Sequence, residues 1–368
     1  MTLQGKVGVE IELMAPRGAS RQTLAEAIAQ AHGGSVSRMF YPQSEPSQIP
    51  GTPVLENLTL GFEVRDAQQQ VLAWCVDDLT LQADCDRTQP PQPGWYRIVG
   101  DDIRLMQIVS RLTNANLPLA EVLQPVAKTL GLALQRGPAG MVKLTDELGP
   151  PMAIATGLPG ERHRPCELIT PPLTAAQLPQ LGAYLQAACQ LGFYAPVEGA
   201  THLHFDAAPL CSAPVLHNLV NLFWAYGPTL KLLVGSNPHC QRLGLWPLAL
   251  LTLVNEPDWV TLTWPEAVEQ LKAIGLTKYC DFNLKNIVYA PPRKHTFEVR
   301  ILPAYLDLPP LMAAVDLMAA LIDRAIDPTP VRPQVPWPWG REGIEALRQE
   351  LPHSQQNLDL MANARLAN

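Results

Sequence analysis

The sequence predicts a protein of the α+β class, and three observations support this. Short segments at 8–13, 201–206 and 297–301 alternate apolar and polar residues, as strands do. A fourth strand-like segment, 166–173, carries a single glutamate. Longer amphipathic segments between them predict helices. The 368 residues are 47% hydrophobic, which is enough for the core of one large domain or two.

Helix-capping and turn signals predict where further helices and strands begin and end. Ser20 is a candidate N-cap and Gly33 a candidate stop for a first helix. The segment 57–84 predicts two strands around a turn at 66–69. Further helices are predicted at Asp102–Asn114, Pro118–Leu130, Ala175–Leu191, Pro214–Leu233, Trp264–Ile274 and Pro309–Ile326.

Composition argues against several classes of protein. The net charge is −7 without a basic tract, which disfavours nucleic acid as the main partner. The most apolar stretch, 243–254, is too short to cross a membrane. Seven cysteines without a C-x-x-C pair indicate reduced thiols. Since no secretory signal is visible at the N-terminus, we expect a cytoplasmic protein.

The strand-like segments each carry charged or imidazole side chains on one face. These residues are Glu10 and Glu12, Glu167, the trio His202, His204 and Asp206, and finally Glu298 and Arg300. Carboxylates two residues apart lie about 6.6 Å apart along a strand. At an effective dielectric of about 20 they repel by roughly 2.5 kcal/mol, so a buried acidic face needs cations. Mg²⁺ with a triphosphate suits carboxylates, and an arginine suits phosphate oxygens.

Other interpretations of the same residues stay open. A lone H-x-H-x-D or E-x-E strand often has its polar face in water, and an E-x-R strand is often only an ion pair. His202, His204 and one carboxylate could instead hold zinc. Cys166, beside Glu167, is a conceivable nucleophile, although a buried structural thiol fits it better.

The ordered segments resemble those of the amidoligase family, in the carboxylate–amine ligase superfamily with glutamine synthetase and glutamate–cysteine ligase. The segments are "GVEIELMAPRG", "CELITPPL", "THLHFDA" and "KYCDFNLKN…HTFEVRILPAYLD", spanning residues 7–307. The resemblance implies a curved antiparallel sheet of the glutamine-synthetase catalytic-domain type, flanked by helices. It also implies ATP-dependent joining of a carboxylate to an amine through an acyl phosphate.

The resemblance further implies roles for particular residues. The metal ligands would be Glu10, Glu12, Glu167 and Glu298, holding two or more Mg²⁺ ions, with Mn²⁺ as a substitute. His202 or His204 would contact metal or nucleotide phosphate, Asn283 and Lys285 would lie beside nucleotide or substrate, and Arg300 would contact the γ-phosphate. Asp206 is a candidate base for the incoming amine, and a metal or supporting carboxylate is its alternative role.

The resemblance also frames the domain organisation. We expect a catalytic domain over 1–326 and a proline-rich linker and tail over 327–368. Residues 85–160 are expected to be an insertion that shapes substrate choice, and Asp77-Asp78-Leu79-Thr80 stands where relatives often have D-G-[ST]. The substrates would be a small-molecule or peptide carboxylate and an amine, and the chain could form a homo-oligomer. The alternatives are a metal-dependent hydrolase and a non-catalytic binding protein.

Overall fold

The computed structural model describes residues 5–46, 54–147, 149–292, 294–332, 336–337 and 340–366. The strands are β1 (Lys6–Met14), β2 (Ser35–Pro46), β3 (Val54–Arg65), β4 (Val71–Val76), β5 (Tyr96–Gly100), β6 (Ala133–Arg136), β7 (Val142–Thr145), β8 (Pro151–Gly157), β9 (Pro165–Ile169), β10 (Leu173–Thr174), β11 (Ala200–Asp206), β12 (Phe282–Asn283) and β13 (Thr296–Pro303).

The helices are α1 (Arg21–Ala31), α2 (Ile103–Leu112), α3 (Gln124–Leu130), α4 (Leu181–Gln190), α5 (Ala213–Val234), α6 (Leu248–Val254), α7 (Trp264–Ile274), α8 (Lys285–Tyr289), α9 (Leu308–Ile326), α10 (Arg341–Glu350) and α11 (Gln355–Leu366). Short 3₁₀ turns lie at Pro138–Gly140, Leu178–Gln180, Ala208–Leu210, Trp259–Thr261 and Pro352–Ser354. Antiparallel strand pairings flanked by helices confirm the predicted α+β class.

The chain forms two compact units. The first comprises Met1–Ile11, Thr170–Gln186 and Val197–Asn368, and the second comprises Glu12–Ile169 and Ala187–Pro196. Strand β1 and helix α4 therefore contribute residues to both. The predicted boundary between a catalytic domain and a tail stays a prediction.

The sheet of the first unit has the strand order β12–β13–β11–β1, and β10 also pairs with β1. Alternation along its strands buries one apolar row completely. Val9, Leu203 and Val299, for example, are each 0% exposed. Because successive side chains in a strand point to opposite faces, the residues between them belong to the other face. That second face carries the charged and imidazole side chains that the sequence singled out.

Helix α5 packs against β13 and covers part of the apolar face. Its Phe223 meets Phe297 of β13 and Phe282 of β12, with ring centroids 5.1 and 4.7 Å apart in edge-on geometry. Ser212 caps the start of α5, and Gly235 ends it in the left-handed conformation at φ 70°. The core of this unit therefore lies between α5 and the sheet, opposite the charged face.

The second unit contains the strand order β9–β4–β3–β5–β8–β7–β6, and β2 pairs with β3 along its whole length. Helix α1 packs on β2, β3 and β4, while α2 packs on β3 and β5. Residues Phe40, Leu58, Tyr96, Met106 and Val126 belong to one buried cluster. The segment 85–160 therefore contributes β5, which pairs with β3, and a substantial share of this core. Its part in substrate choice stays a prediction.

The helix predictions agree with the structure to within a few residues in most cases. Ser20 forms a capping box with Thr23 at the start of α1. Gly34 follows the helix, and a Cβ there would lie 1.8 Å from the carbonyl oxygen of Arg65, so only glycine fits. Two helices begin later than predicted, α3 at Gln124 and α4 at Leu181. Pro125 is the second residue of α3, and Pro179 lies two residues before the start of α4. Proline is best tolerated in the first turn of a helix.

The segment after residue 327 belongs to the first unit and includes the two helices α10 and α11. Helix α11 contacts α5 and α9, and Leu358 is fully buried. Residues 333–335 and 338–339 of the predicted proline-rich linker lie outside the described residues. Within the described ranges, none of the helices has the length and apolar character that a membrane crossing requires.

Candidate active site

The register of the first unit brings five predicted site residues side by side. Glu10 of β1 lies opposite His202 of β11. His204 of β11 lies opposite Glu298 of β13, which in turn faces Asn283 of β12. Directly opposite residues of an antiparallel pair share a face. Four strands therefore contribute to one polar face, and each of these residues is at most 9% exposed.

The carboxylate of Glu10 is surrounded by three basic groups. Its Oε2 lies 3.1 Å from Nε2 of His204 and 3.5 Å from Nδ1 of His202. Its Oε1 lies 3.3 Å from Nζ of Lys294, which precedes β13. The two oxygens of one buried carboxylate thus face different cationic or imidazole groups.

The carboxylate of Glu298 is held more tightly. Arg300 donates from Nη1 to Oε1 at 2.7 Å, and Asn283 donates from Nδ2 to Oε2 at 2.7 Å. The imidazoles of His202 and His204 lie 3.8 and 4.0 Å from Oε1. Asn283 itself is fixed because its Oδ1 accepts the backbone N–H of Lys285 at 2.8 Å.

His204 has one ring nitrogen engaged and the other directed at the carboxylates. Its Nδ1 lies 3.0 Å from the hydroxyl oxygen of Thr296. Its Nε2 is buried and has no aligned hydrogen-bond partner among the described residues, although Glu10 is 3.1 Å away. A histidine that binds a metal commonly has its second nitrogen held by another group in this way.

The pKa values of both carboxyl groups are depressed. Burial by itself would raise the pKa of Glu10, but the charges of His204 and Lys294 and the imidazole hydrogen bonds together hold it well below its usual value. Burial also opposes ionisation of Glu298, and the charges of His204, Arg300 and His202 lower its pKa to about 2. Both groups are therefore anionic at neutral pH, as metal ligands must be.

The two imidazoles differ in basicity. Burial alone would lower the pKa of His204, yet the adjacent Glu10 and Glu298 carboxylates raise it. Burial, with the charge of Arg300, lowers the pKa of His202 despite its carboxylate neighbours. His202 is thus the imidazole that stays neutral more readily, because burial and Arg300 outweigh the carboxylates there, whereas the carboxylates outweigh burial at His204.

A group of three side chains has the composition of a metal site. One ligand atom each from Glu10, His204 and Glu298 can lie within 4.8 Å of one another, and all three residues are buried. The unaligned Nε2 of His204 and the two convergent carboxylates fit a divalent cation. Two oxygens and one nitrogen suit Mg²⁺ or Mn²⁺, and they also suit zinc.

The remaining residues predicted from the sequence differ in their exposure. Asp206 is exposed at the end of β11, where it accepts the backbone N–H of Ala208 at 3.0 Å. Lys285 is exposed at the first position of α8. Glu12 is buried on β1 and Glu167 is half-buried on β9, both in the second unit. Cys166 is fully buried, and burial together with Cys75 raises its pKa well above the usual value, as in a structural thiol.

Sequence reasoning missed two groups of the cluster, Thr296 and Lys294. Thr296 precedes Glu298 by two residues, so strand alternation alone would have placed it on the same face. Lys294 lies before the strand begins, where no periodicity applies. Its contact with Glu10 depends on how the chain enters β13, and the sequence carries no signal for that.

Comparison with known proteins assigns a family to the chain. Residues 4–244 match the family model described as "Putative amidoligase enzyme". The chain belongs to this amidoligase family. The matched region includes Glu10, His202 and His204. Glu298 and Arg300 lie beyond it, on the strand β13 that pairs with β11.

The other comparisons add little to this. A solved structure described as "Crystal structure of novel glutamine synthase homolog" matches over 96% of this chain and 72% of that chain. The identity is 15% and the TM-score is 0.31. No curated protein matches the chain. The glutamine-synthetase type of sheet therefore stays a prediction.

Proposed function

We propose that this amidoligase joins a carboxylate to an amine at the expense of ATP, with Mg²⁺ held on the polar face of the first unit. The observation that carries the proposal is the buried convergence of Glu10, His204 and Glu298, with Arg300 beside them. On a solvent-exposed strand, water would solvate the carboxylates. Burying two carboxylates is costly unless cations balance them, so their burial here favours a cation site.

Within this proposal, Glu10, His204 and Glu298 hold the divalent cation. The cation, when bound, would supply positive charge to phosphate oxygens. Asn283 orients Glu298 by donating to its Oε2, and Thr296 orients His204 through Nδ1. These supports fix the ligand atoms before substrate arrives, so the site needs little reorganisation.

Arg300 is proposed to stabilise the transferred phosphoryl group. One Nη atom contacts Glu298, and a guanidinium carries five N–H donors in a planar fork that suits phosphate. The contact with Glu298 holds the guanidinium in place as charge develops on the phosphate oxygens.

The reaction then proceeds in two substitutions. A carboxylate oxygen of the substrate attacks the γ-phosphorus, the bond from that phosphorus to the bridging oxygen breaks, and ADP leaves. The amine nitrogen next attacks the acyl carbon, the bond from that carbon to the phosphate oxygen breaks, and phosphate leaves. The proton lost by the amine goes to a base, for which Asp206 is the proposed residue.

The roles of four further residues come from the resemblance to the amidoligase family. Glu12 and Glu167 are proposed as additional metal ligands, and His202 and Lys285 as contacts of nucleotide or substrate. Replacing each with an uncharged residue and measuring the KM for ATP and the affinity for Mn²⁺ separates the two kinds of role.

Trapping with hydroxylamine tests the reaction type directly. Hydroxylamine replaces the amine, attacks an acyl phosphate and gives a hydroxamate that forms a coloured iron complex. The purified protein with Mg²⁺ and ATP is screened against pools of carboxylic acids, and ADP release is followed in parallel. We expect hydroxamate and ADP in equal amounts from the correct acid, and neither with EDTA.

A hydrolase is the alternative, because an imidazole with two carboxylates also suits zinc. It would release amine from amide substrates without ATP and would retain Zn²⁺ after dialysis. Amide hydrolysis in the absence of ATP, combined with no hydroxamate from any pool, would replace the ligase proposal with this one.

A further inference from the structure

Lys294 differs from the other groups around Glu10 in its exposure. Its side chain is 54% exposed, whereas those of Glu10 and His204 are each 9% exposed. Its backbone is anchored, since its N–H donates to the carbonyl of Pro291 and its own carbonyl accepts the N–H of Thr296. The ammonium is therefore carried by a solvent-exposed side chain on a fixed residue and can change partners without a backbone movement.

The ammonium of Lys294 contributes positive charge to a buried anion. It lies 3.3 Å from Oε1 of Glu10, and a buried carboxylate is costly unless positive charge balances it. The other cation of the cluster, Arg300, is only 13% exposed and contacts Glu298 at 2.7 Å. Arg300, which has little exposure, is thus a fixed part of the polar face, whereas the exposed Lys294 is the cation suited to exchange.

A divalent cation at Glu10 and the ammonium of Lys294 would compete for the same carboxylate. Their like charges repel at short range in a partly dehydrated site. A lysine side chain, which is a flexible point charge, can turn toward a different anion when it is displaced.

We propose that Lys294 is an exchangeable counter-cation of the site. Its ammonium balances Glu10 when no divalent cation is bound, yields to that cation, and then contacts a phosphate of the bound nucleotide. The first two steps need only the metal site of the proposed function, and the third step also needs nucleotide binding.

Metal binding without nucleotide tests the exchange. Free Mn²⁺ is measured by its electron paramagnetic resonance signal during titration of the wild type, Lys294→Ala, Lys294→Arg and the control Lys272→Ala. Lys272 is also a partly exposed lysine paired with a glutamate, on α7. An ion pair of this exposure corresponds to a factor of up to about five in an equilibrium constant.

We expect Lys294→Ala to bind Mn²⁺ about fivefold more tightly than the wild type. Lys294→Arg and Lys272→Ala should match the wild type. In EDTA the thermal midpoint of Lys294→Ala should be lower than that of the wild type, and saturating Mn²⁺ should remove the difference. Mn²⁺ affinity that is unchanged or weaker in Lys294→Ala would overturn the exchange.

The nucleotide step is tested with a non-hydrolysable ATP analogue at saturating Mn²⁺. Lys294→Ala should bind the analogue about fivefold more weakly, with Lys272→Ala unaffected. Equal affinity in Lys294→Ala and wild type would overturn the phosphate contact. If the wild type binds Mn²⁺ but no nucleotide, the proposed ligase function fails, while the metal titration still decides whether Lys294 exchanges.

Discussion

Each of the two units buries a cluster of charged side chains, and the clusters differ in what satisfies the charges. In the second unit the fully buried Arg21 donates to the carbonyls of Leu60, Arg162 and Pro165 at 2.7–3.1 Å. Its guanidinium also lies 4.6 Å from the ring of Trp95. Backbone groups therefore satisfy most of this charge, as they do in a structural cluster.

The cluster of the first unit is satisfied by side chains that converge on one another. The contacts of Glu10 and Glu298 described above come from imidazole, ammonium, guanidinium and amide groups. Carboxylate oxygens and an imidazole nitrogen face each other instead of the backbone. Burial alone therefore does not distinguish the two clusters, whereas the kind of partner, backbone carbonyl or side chain, does.

The largest effect on stability is expected from Arg21→Met. Asp77 is fully buried and lies 3.7 Å from Nη1 of Arg21. The change would remove this positive charge beside the Asp77 carboxylate. It would also leave three carbonyls without their donor. Removing one partner of a buried charge cluster costs about 3–5 kcal/mol. Urea denaturation should show a loss of this size in the free energy of unfolding.

Arg65→Met is the matched control for that experiment. Arg65 is 34% exposed and pairs with Glu63 at 2.7 Å, so its loss should cost about 1 kcal/mol or less. A similarly small loss for Arg21→Met would show that the buried arginine is not structural and would remove the contrast between the two clusters.

Glu298→Gln should act mainly on turnover. The substitution keeps the shape and one carbonyl oxygen but removes the charge that a cation and Arg300 require. We expect turnover to fall at least ~100-fold, a loss of roughly 2.7 kcal/mol of transition-state stabilisation. The free energy of unfolding should fall by less, about 1–2 kcal/mol, because the amide oxygen can accept from only one of Arg300 and Asn283 and the other donor loses its acceptor.

The control for this change is Glu269→Gln on α7, where the glutamate is 73% exposed and should affect neither quantity. Steady-state rates and urea denaturation measured on the same preparations separate the two effects. Full turnover by Glu298→Gln would place the chemistry elsewhere in the chain.

A smaller effect is expected from Thr296→Val. The valine keeps the volume of the threonine but cannot bond Nδ1 of His204, so the imidazole loses its orienting partner. Loss of such a partner typically lowers metal affinity at least ~10-fold. Mn²⁺ titration should show this weakening, and Thr296→Ser, which restores the hydroxyl, should recover the wild-type affinity. Weak binding in both variants would mean that the threonine acts through packing.

Local signals in the sequence predicted much of the fold and the cluster. Strand alternation placed Glu10, His204 and Glu298 on polar faces, and capping signals placed α1. Register was not available from the sequence, because pairing His204 with Glu298 joins segments 94 residues apart. The long strand β2 was not predicted, because pairing with β3 stabilises it more than the alternation of its own residues does.

Residues at the ends of strands or just beyond them were the hardest to place. Lys294 enters the cluster from a turn whose geometry is fixed by Pro291 and Thr296. Asp206 continues the H-x-H-x-D alternation, yet its carboxylate caps the following turn at Ala208. Both positions depend on how the chain enters or leaves a strand. Tertiary packing determines this path, and sequence periodicity does not.

The most direct test of the proposed metal centre is a crystal structure of the protein soaked with Mn²⁺, with anomalous scattering measured at the manganese edge. We expect an anomalous peak about 2.0–2.3 Å from a carboxylate oxygen of Glu10, a carboxylate oxygen of Glu298 and Nε2 of His204. No peak at these three atoms, with full occupancy at some other site, would contradict the claim that this buried cluster is the metal centre.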